Sequence, residues 1–272
     1  MAILISERGV AQLMLAPFSY TNYVAFFGIF RICIRPFSVL WRYFTAKGDY
    51  PEHFMVRTPL GPLALHLYQH ADMLTLNEIF CRKDYRADGS LKTVVDFGSN
   101  IGLSAAYFLT RNATATVHLF EPDQRNVTKL RAQLARFEDR YTLHEAAVGV
   151  ADGEVSFAHE PTGRYGGVRG TMTQAWVADA PTTTVRCVDA DRTLRDIIAE
   201  HGEIDVLKMD IEGLEAPVLR HLQPETLRSV RCIYAETDSR QVELAGFARH
   251  QYGSIAVYQR IARMVKANTA VA

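Results

Sequence analysis

The amino-acid sequence predicts an α/β fold in which a mainly parallel sheet has helices on both faces. Three observations support this. Short apolar runs alternate with helical patterns after residue 90, the first run ends in a glycine turn that opens a helix, and acidic residues follow several runs. Apolar strands separated by helices are typical of parallel sheets that are buried on both sides. Ligands of such sheets bind beyond the carboxyl ends of the strands, so we expect the site there.

The composition allows one sizeable α/β domain with an N-terminal extension. The chain has 272 residues, and its 30 Lys and Arg balance its 30 Asp and Glu, so the charge gives no indication of a nucleic-acid partner. The 4 cysteines are scattered without the close spacing of a zinc site. We therefore expect reduced thiols and a cytoplasmic protein.

Residues 1–50 are predicted to form a helical, aromatic-rich extension. No charged residue occurs from Gly9 to Phe30, but Pro17 and several polar residues interrupt this apolar stretch. The interruptions disfavour a membrane span, which takes about 20 apolar residues, and no secretory signal pattern is present. We favour helices that pack on the domain, line its pocket or pair subunits of a homo-oligomer. Contact with a membrane surface is the alternative, because aromatic residues and arginines mix between Phe30 and Phe44.

Residues 51–90 are predicted to lead into the core. The segment from His53 to Tyr68 contains a Pro-Leu-Gly-Pro turn between two extended runs, which indicates a hairpin. Met73, Leu76 and Ile79 then share one face of a predicted helix over Asp72 to Phe80.

Residues 91–272 are predicted to form the ligand-binding domain, in which strands and helices alternate. Strands are expected at 93–97, 117–121, 143–148, 206–209 and 232–236, and helices at 101–110, 125–137, 192–200, 216–222 and 240–250. The alternation lapses between Asp152 and Thr184. The glycine-rich loop from Glu160 to Gln174 is expected to contact the substrate, because long loops inside compact domains are mostly functional.

The segment VVDFGSNIG has the pattern of a ligand-binding turn between a strand and a helix. Asp96 ends the apolar run, Gly98 and Gly102 allow tight turning, and Asn100 lies between them. A dinucleotide site would have G-x-G-x-x-G, so a nucleotide-dependent dehydrogenase is disfavoured. An acid beside the turn suits a cationic or amine ligand better than a pyrophosphate. S-adenosylmethionine, with its sulfonium and amine, is the ligand that we expect.

Acidic residues also end the later strands. Glu121 follows the glycine turn at the spacing of an acid that accepts ribose hydroxyls. Asp210 and Glu212 follow a strand in LKMDIEGLE, with Lys208 as an expected ion partner, and Glu236 ends the next strand. Several acids at one edge of one sheet favour a functional site over simple solvation.

Together, VVDFGSNIG, FEPD, AAVG, LKMDIEGLE and YAET resemble the FkbM family of S-adenosylmethionine-dependent methyltransferases, from about Asp72 to about Glu236. The resemblance implies a class I methyltransferase (Rossmann-like) sheet of seven strands with a reversed final hairpin. It also implies O-methylation of sugar or other hydroxyls in glycans, glycolipids or natural products. The family residues that it maps onto this chain are Asp96, Gly98, Asn100 and Gly102 for the methionine part, Glu121 for the ribose, and Ala147 or Val148 beside the adenine.

Methyl transfer to a hydroxyl of a small-molecule or glycan acceptor requires positioning and removal of a proton. Asp210, Glu212 and Glu236 are the candidate catalytic residues. Two carboxylates on neighbouring strand ends are alternatively suited to Mg²⁺, which would lower the pKa of the hydroxyl, although the sequence indicates no third ligand. A non-catalytic nucleotide- or sugar-binding module on the same fold is the alternative function.

Overall fold

The computed structural model describes residues 20–160, 166–171, 180–237 and 242–261. The helices are α1 Tyr20–Ile32, α2 Pro36–Thr45, α3 His70–Leu76, which continues into a π-helical segment Asn77–Arg82, α4 Leu103–Leu109, α5 Gln124–Leu134, followed by a 3₁₀ segment Ala135–Arg140, α6 Ala190–His201, α7 Glu215–His221 and α8 Pro224–Leu227. The strands are β1 Glu52–Thr58, β2 Gly61–Leu67, β3 Thr93–Phe97, β4 Thr116–Phe120, β5 Tyr141–His144, β6 Ala147–Gly149, β7 Gly153–His159, β8 Gly166–Val168, β9 Thr182–Asp189, β10 Ile204–Met209, β11 Val230–Glu236, β12 Phe247–Tyr252 and β13 Ile255–Arg260.

A seven-stranded sheet forms the centre of the molecule, in the order β12-β13-β11-β10-β3-β4-β5. The five strands from β11 to β5 are parallel, whereas β13 pairs antiparallel with both β11 and β12. Every residue of β3 and β10 is buried, as expected for central strands covered on both faces. The predicted α/β class, with a mainly parallel seven-stranded sheet, a reversed final hairpin and a helical N-terminal segment, is confirmed.

A second, four-stranded sheet, in the order β6-β9-β7-β8, corrects two predictions. The strand expected over residues 143–148 is wrong as one element, because the chain leaves β5 at His144 and enters β6 of the other sheet at Ala147. The region from Asp152 to Thr184 was expected to be irregular, yet it contains β7, β8 and the start of β9. β7 and β9 begin with polar, mostly exposed residues, including three threonines in β9, so the sequence lacks the apolar run that identifies a buried strand.

The predicted helix over residues 240–250 is also wrong. Residues 242–246 form no helix, and β12 begins at Phe247 and pairs antiparallel with β13. Gly246 has φ +85°, a left-handed conformation that is incompatible with a continuous helix through this residue. Val242 and Leu244 are buried, so their spacing reflects packing under the sheet rather than a helical face.

The N-terminal extension packs on the core through one face only. Ile29, Cys33 and Val39 join the hydrophobic cluster that includes hairpin β1-β2, helix α3 and the α4 side of the central sheet. The other face of α1 and α2 carries exposed aromatic residues. Within the described residues, no helix has the length and apolar content needed to cross a membrane.

The glycine turn after β3 depends on Gly98. Its φ is +84°, and a Cβ at this position would lie 1.9 Å from the carbonyl oxygen of Asp210, the residue that follows β10. The amides of Gly98 and Ser99 both donate to the carbonyl of Phe120 at the end of β4. The turn thus connects the carboxyl ends of three neighbouring strands.

Gly98→Ala is expected to lower the free energy of unfolding by at least about 2 kcal/mol more than Gly246→Ala, because backbone crowds the added methyl only at Gly98. The control is matched: Gly246 has φ +85° and nothing lies within 4 Å of its ideal Cβ, so it isolates the cost of a left-handed alanine, about 1 kcal/mol. Urea unfolding of the ligand-free variants measures both. Equal losses would show that the close approach of Asp210 has no energetic consequence.

Candidate active site

Two cavities lie next to each other at the carboxyl ends of the central strands. The smaller has a volume of about 70 Å³ and the larger about 300 Å³. Gly98, Asn100, Asp210 and Glu212 line both of them. Two cavities that share four lining residues therefore lie where the strand-end acids predict a ligand crevice.

Glu121 forms the polar wall of the smaller cavity. It follows β4, is only 5% exposed, and its two carboxylate oxygens accept the amides of Asn100 at 2.8 Å and Asp123 at 2.9 Å. Asn126 also donates to it from α5. Burial raises the pKa of Glu121 to about 7, although these donors act in the opposite direction.

Apolar residues also line the smaller cavity. Ala147 and Val148, one of which the family resemblance places beside an adenine, line it from β6. Phe157 of β7 and Val168 of β8 complete this apolar lining from the second sheet. Sequence analysis did not identify these last two residues, because only the unpredicted second sheet brings them to the site.

The glycine-turn residues have different positions relative to the cavities. Asn100 adopts φ +47°, and its side-chain oxygen accepts the amide of Ile101, which fixes the turn. Gly102 starts α4, but its missing Cβ faces Leu130 and Leu134 of α5. Gly102 lines neither cavity, so its place in the structure is a packing position between two helices.

Asp96 is fully buried beneath the cavities and pairs with Lys208. Nζ of Lys208 lies 2.8 Å from Oδ1 of Asp96, 2.8 Å from the carbonyl oxygen of Gly98, and 3.9 Å from Oδ2 of Asp210. Oδ2 of Asp96 accepts the hydroxyl of Ser104 at 2.5 Å. The expected role of Lys208 as an ion partner is confirmed. Asp96 itself does not line either cavity, since Lys208 and Ser104 lie between its carboxylate and the larger one.

The larger cavity lies between the strand ends and the helix that precedes the core. Its charged lining is mostly acidic: Asp72, Glu78, Asp84, Asp210, Glu212, Glu215 and Glu236, against Arg82 and Lys208. Arg82 is itself paired with Asp84 and lies 3.7 Å from Glu78. The field in this cavity therefore favours cationic or neutral ligands over anionic ones.

Asp210 and Glu236 lie on neighbouring strand ends and influence each other. The charge of Asp210 is the largest cause that raises the pKa of Glu236 to about 7, and partial burial adds to it. Part of the Glu236 residue remains exposed to solvent. Burial likewise raises the pKa of Asp210, while Lys208 opposes that shift. Ser254 donates to Glu236 at 3.0 Å and orients it. A carboxylate with a pKa near 7 is suited to accept a proton at neutral pH.

Glu212 occupies a strained turn at the border of the two cavities. Its φ is +50°, which is uncommon outside glycine, and such strain is concentrated at functional sites. Thr171 covers this turn, because its carbonyl oxygen would lie 2.7 Å from a Cβ on Gly213. Part of the loop expected at 160–174 therefore contacts the site, while residues 161–165 and 172–174 lie outside the described residues.

The larger cavity is also lined by residues of the π-helical segment and by the residue Tyr85 beyond it, and none of these was among the predicted site residues. Glu78 and Arg82 lie four residues apart in the π-helical segment, and Tyr85 follows it. The predicted helix over Asp72 to Phe80 includes Glu78 but ends before Arg82. No sequence signal shows that this segment lies across the strand ends.

Across the described ranges, no group of three or more His, Cys, Asp or Glu side chains is arranged to bind a metal ion. Asp210, Glu212 and Glu236 share a cavity without forming such a set. The Mg²⁺ alternative thus has no ligand set within that part of the chain.

The sheet has the strand order and the reversed final hairpin of a class I methyltransferase, and the acid Glu121 after β4 lines a cavity at the strand ends. These features define a class I S-adenosylmethionine-dependent methyltransferase. The model of the methyltransferase FkbM domain matches residues 96–260. The chain belongs to the FkbM methyltransferase family, and membership implies S-adenosylmethionine as the methyl donor.

Two curated proteins are similar to this chain. 2-O-methyltransferase NoeI of Sinorhizobium fredii is 29% identical over 164 residues, which cover 55% of this chain and 64% of NoeI. The AMB antimetabolite synthetase AmbE of Pseudomonas aeruginosa is 27% identical over 228 residues, covering 71% of this chain and 11% of AmbE. The chain therefore spans less than two thirds of either relative. A solved methyltransferase FkbM from Methylobacillus flagellatus is 16% identical with a TM-score of 0.44, and the match covers 95% of this chain and 62% of that one.

Lys208→Met is expected to lower the free energy of unfolding by about 3–5 kcal/mol, because it leaves the fully buried Asp96 carboxylate without a counter-charge. Adding Asp96→Asn removes that charge and should recover a large part of the loss. Lys92→Met, at an exposed lysine, is the control and should change stability by no more than about 0.5 kcal/mol. Urea unfolding measures all three. A double variant as unstable as the single one would contradict a charge-based account.

Proposed function

We propose that the chain is an S-adenosylmethionine-dependent O-methyltransferase that acts on a hydroxyl of a sugar in a glycan, glycolipid or natural product. The observation that carries the proposal is the arrangement of the two cavities. The smaller has the features of an adenosine site, and the larger adjoins it with Asp210, Glu212 and Glu236 on its lining.

The residues that line the smaller cavity are suited to the nucleoside part of the donor. A carboxylate has about four lone-pair positions, and Asn100, Asp123 and Asn126 use three of those on Glu121, which leaves one for a ribose hydroxyl. Ala147, Val148 and Phe157 supply the apolar walls that a flat base requires.

The acidic lining of the larger cavity fits both ligands of the proposed reaction. When bound, S-adenosylmethionine supplies an activated methyl group on a sulfonium, and a positive charge is stabilised next to Asp210, Glu212 and Glu236. A sugar hydroxyl is neutral, so it enters this field without repulsion. Anionic acceptors would be disfavoured by the same charges.

The chain's own task is then to orient the hydroxyl and take its proton. A sugar hydroxyl is a very weak acid, and proton removal by a positioned carboxylate typically contributes about 10²–10⁴ in rate. Glu236 and Asp210 have raised pKa values that bring them closer to working pH. The name 2-O-methyltransferase describes NoeI, and its similarity over 164 residues supports oxygen as the acceptor atom here.

Glu121→Ala is expected to weaken S-adenosylhomocysteine binding about tenfold or more, because it removes a charge-assisted hydrogen bond worth about 1.5–3 kcal/mol. Isothermal calorimetry measures the affinity. Glu145→Ala, at an exposed acid just beyond β5, is the matched control and should bind like the parent. Unchanged binding by the Glu121 variant would end its assignment to the ribose.

The pH–rate profile is expected to have an acid limb near pH 7, in which the rate falls as the pH falls and a catalytic carboxylate becomes protonated. If Glu236 is the base it must be ionised, so kcat/KM, which reports groups of the free enzyme, should fall about tenfold per pH unit below the pKa of about 7 that Glu236 has in the free protein. Asp210→Asn removes the largest cause of that raised pKa, so the limb should move to lower pH while turnover persists. If Asp210 is the base, the same variant loses about 10²–10⁴ in rate at all pH values.

The carboxylate mechanism would be excluded if three single variants all turn over like the parent: Asp210→Asn, Glu212→Gln and Glu236→Gln. A chelator tests the metal alternative in the same assay, since Mg²⁺ dependence would appear as loss and rescue of activity.

The proposed function is tested most directly with labelled S-adenosylmethionine. Incubation with glycolipids and neutral oligosaccharides from a lysate should label a sugar hydroxyl, which mass spectrometry identifies. A thermal-shift control should show stabilisation by S-adenosylhomocysteine and none by NAD. Stabilisation by S-adenosylhomocysteine without any transfer would favour the non-catalytic binding module.

A further inference from the structure

Helices α1 and α2 share an exposed apolar face, which we call the aromatic surface. It consists of Tyr23, Phe26, Phe27, Phe30, Ile34, Phe37, Trp41 and Phe44. On α2, Phe37, Trp41 and Phe44 recur at helical spacing and are 75%, 64% and 72% exposed. Large apolar side chains are normally scattered singly on a protein surface, so a continuous group indicates a binding surface.

Ring contacts join the two helices into one surface. The ring centroids of Phe26 and Phe30 are 5.1 Å apart on α1, and those of Phe30 and Phe37 are 5.5 Å apart between α1 and α2. The opposite face of each helix packs on the core through Ile29 and Val39. The aromatic surface is therefore fixed in place by packing on its other side.

Within residues 20–48, the segment that carries the aromatic surface, the charges have a single sign. No acidic residue occurs from residue 20 to residue 48, and Arg31, Arg35 and Lys47 are exposed. Arg42 is the exception among the cations, because it pairs with Glu52 at 3.2 Å. Exposed aromatic residues with basic neighbours are the composition of helices that lie in the interface of an anionic membrane.

We propose that the aromatic surface docks the protein onto an anionic lipid bilayer, with α1 and α2 lying in the interface and not crossing it. The aromatic rings would enter the headgroup region while Arg31, Arg35 and Lys47 contact lipid phosphates. A second copy of the chain fits less well, because a two-fold interface would bring these same cations together.

Docking would also place the active site close to lipid. The inner face of α1 packs on the π-helical segment, where the ideal Cβ of Gly28 would lie 2.4 Å from the carbonyl oxygen of Cys81. Ile79 and Arg82 of that segment line the larger cavity. Two helical layers, α1 and the π-helical segment, therefore separate the aromatic surface from the larger cavity.

Co-sedimentation of the full chain with lipid vesicles tests the proposal without using activity. Binding to mixed phosphatidylcholine–phosphatidylglycerol vesicles is expected, with weaker binding to pure phosphatidylcholine and release as salt is raised. Arg31→Gln with Arg35→Gln should weaken binding to the anionic vesicles by roughly tenfold or more. Absence of binding by the parent would overturn the proposal, whatever the outcome of the methylation assays.

The apolar contribution is tested by the triple variant Phe37→Ser, Trp41→Ser and Phe44→Ser, which should bind vesicles at least about tenfold more weakly. Tyr252→Ser with Ile261→Ser is the matched control, because these residues are 57% and 59% exposed on a different part of the molecule, and its binding should be unchanged. Unaltered S-adenosylhomocysteine affinity confirms that the variants are folded.

A triple variant that binds vesicles like the parent contradicts the docking surface. Sedimentation equilibrium provides the competing outcome. A parent dimer that the triple variant converts to a monomer, without vesicle binding by either, would assign the aromatic surface to pairing of two copies and overturn the membrane proposal.

Discussion

The buried ion pair of Asp96 and Lys208 is the interaction on which the site depends. Lys208 joins the ends of β3 and β10, and the same ammonium binds the carbonyl of Gly98 in the glycine turn. Because Gly98 has no Cβ, the Asp210 backbone can approach the turn closely enough for both cavities to share this wall. A buried pair gives little net stability but is costly to break, so it fixes the arrangement of the strand ends more than it strengthens the fold.

The same charges set the acid–base properties of the cavity. Lys208 compensates Asp96 and only partly compensates Asp210, at 3.9 Å, so negative charge remains at the carboxyl ends of the strands. That charge raises the pKa of Glu236 to about 7. A structural ion pair and a candidate base thus belong to one electrostatic system. Variants of Asp96 or Lys208 should consequently be judged by their stability before their kinetics are interpreted.

Local patterns in the sequence were sufficient for strands β3, β4, β10 and β11 of the central sheet and for the acids at their ends that line the site. Short apolar runs placed the central strands, and acids at their ends placed Glu121, Asp210 and Glu236 at the cavities. The sequence could not reveal contacts made by distant elements. Phe157 reaches the smaller cavity from β7, whose first two residues are exposed and polar or glycine, and apolar residues at helical spacing predicted a helix where β12 lies. Asp96 differs from these residues: the sequence motif identified it, but it pairs with Lys208 beneath the site and does not line either cavity.

The two cavities share the strand ends but otherwise draw on different parts of the chain, which in the proposed reaction would separate donor recognition from acceptor recognition. The ends of the parallel strands and the second sheet form the smaller cavity. The outer lining of the larger cavity comes from α3 and the π-helical segment, including Glu78 and Arg82. Sequence changes in that helix could alter the acceptor while the donor site and the ion pair stay intact. Because α1 packs directly on this helix, the element that would set acceptor choice is also the one nearest to the aromatic surface.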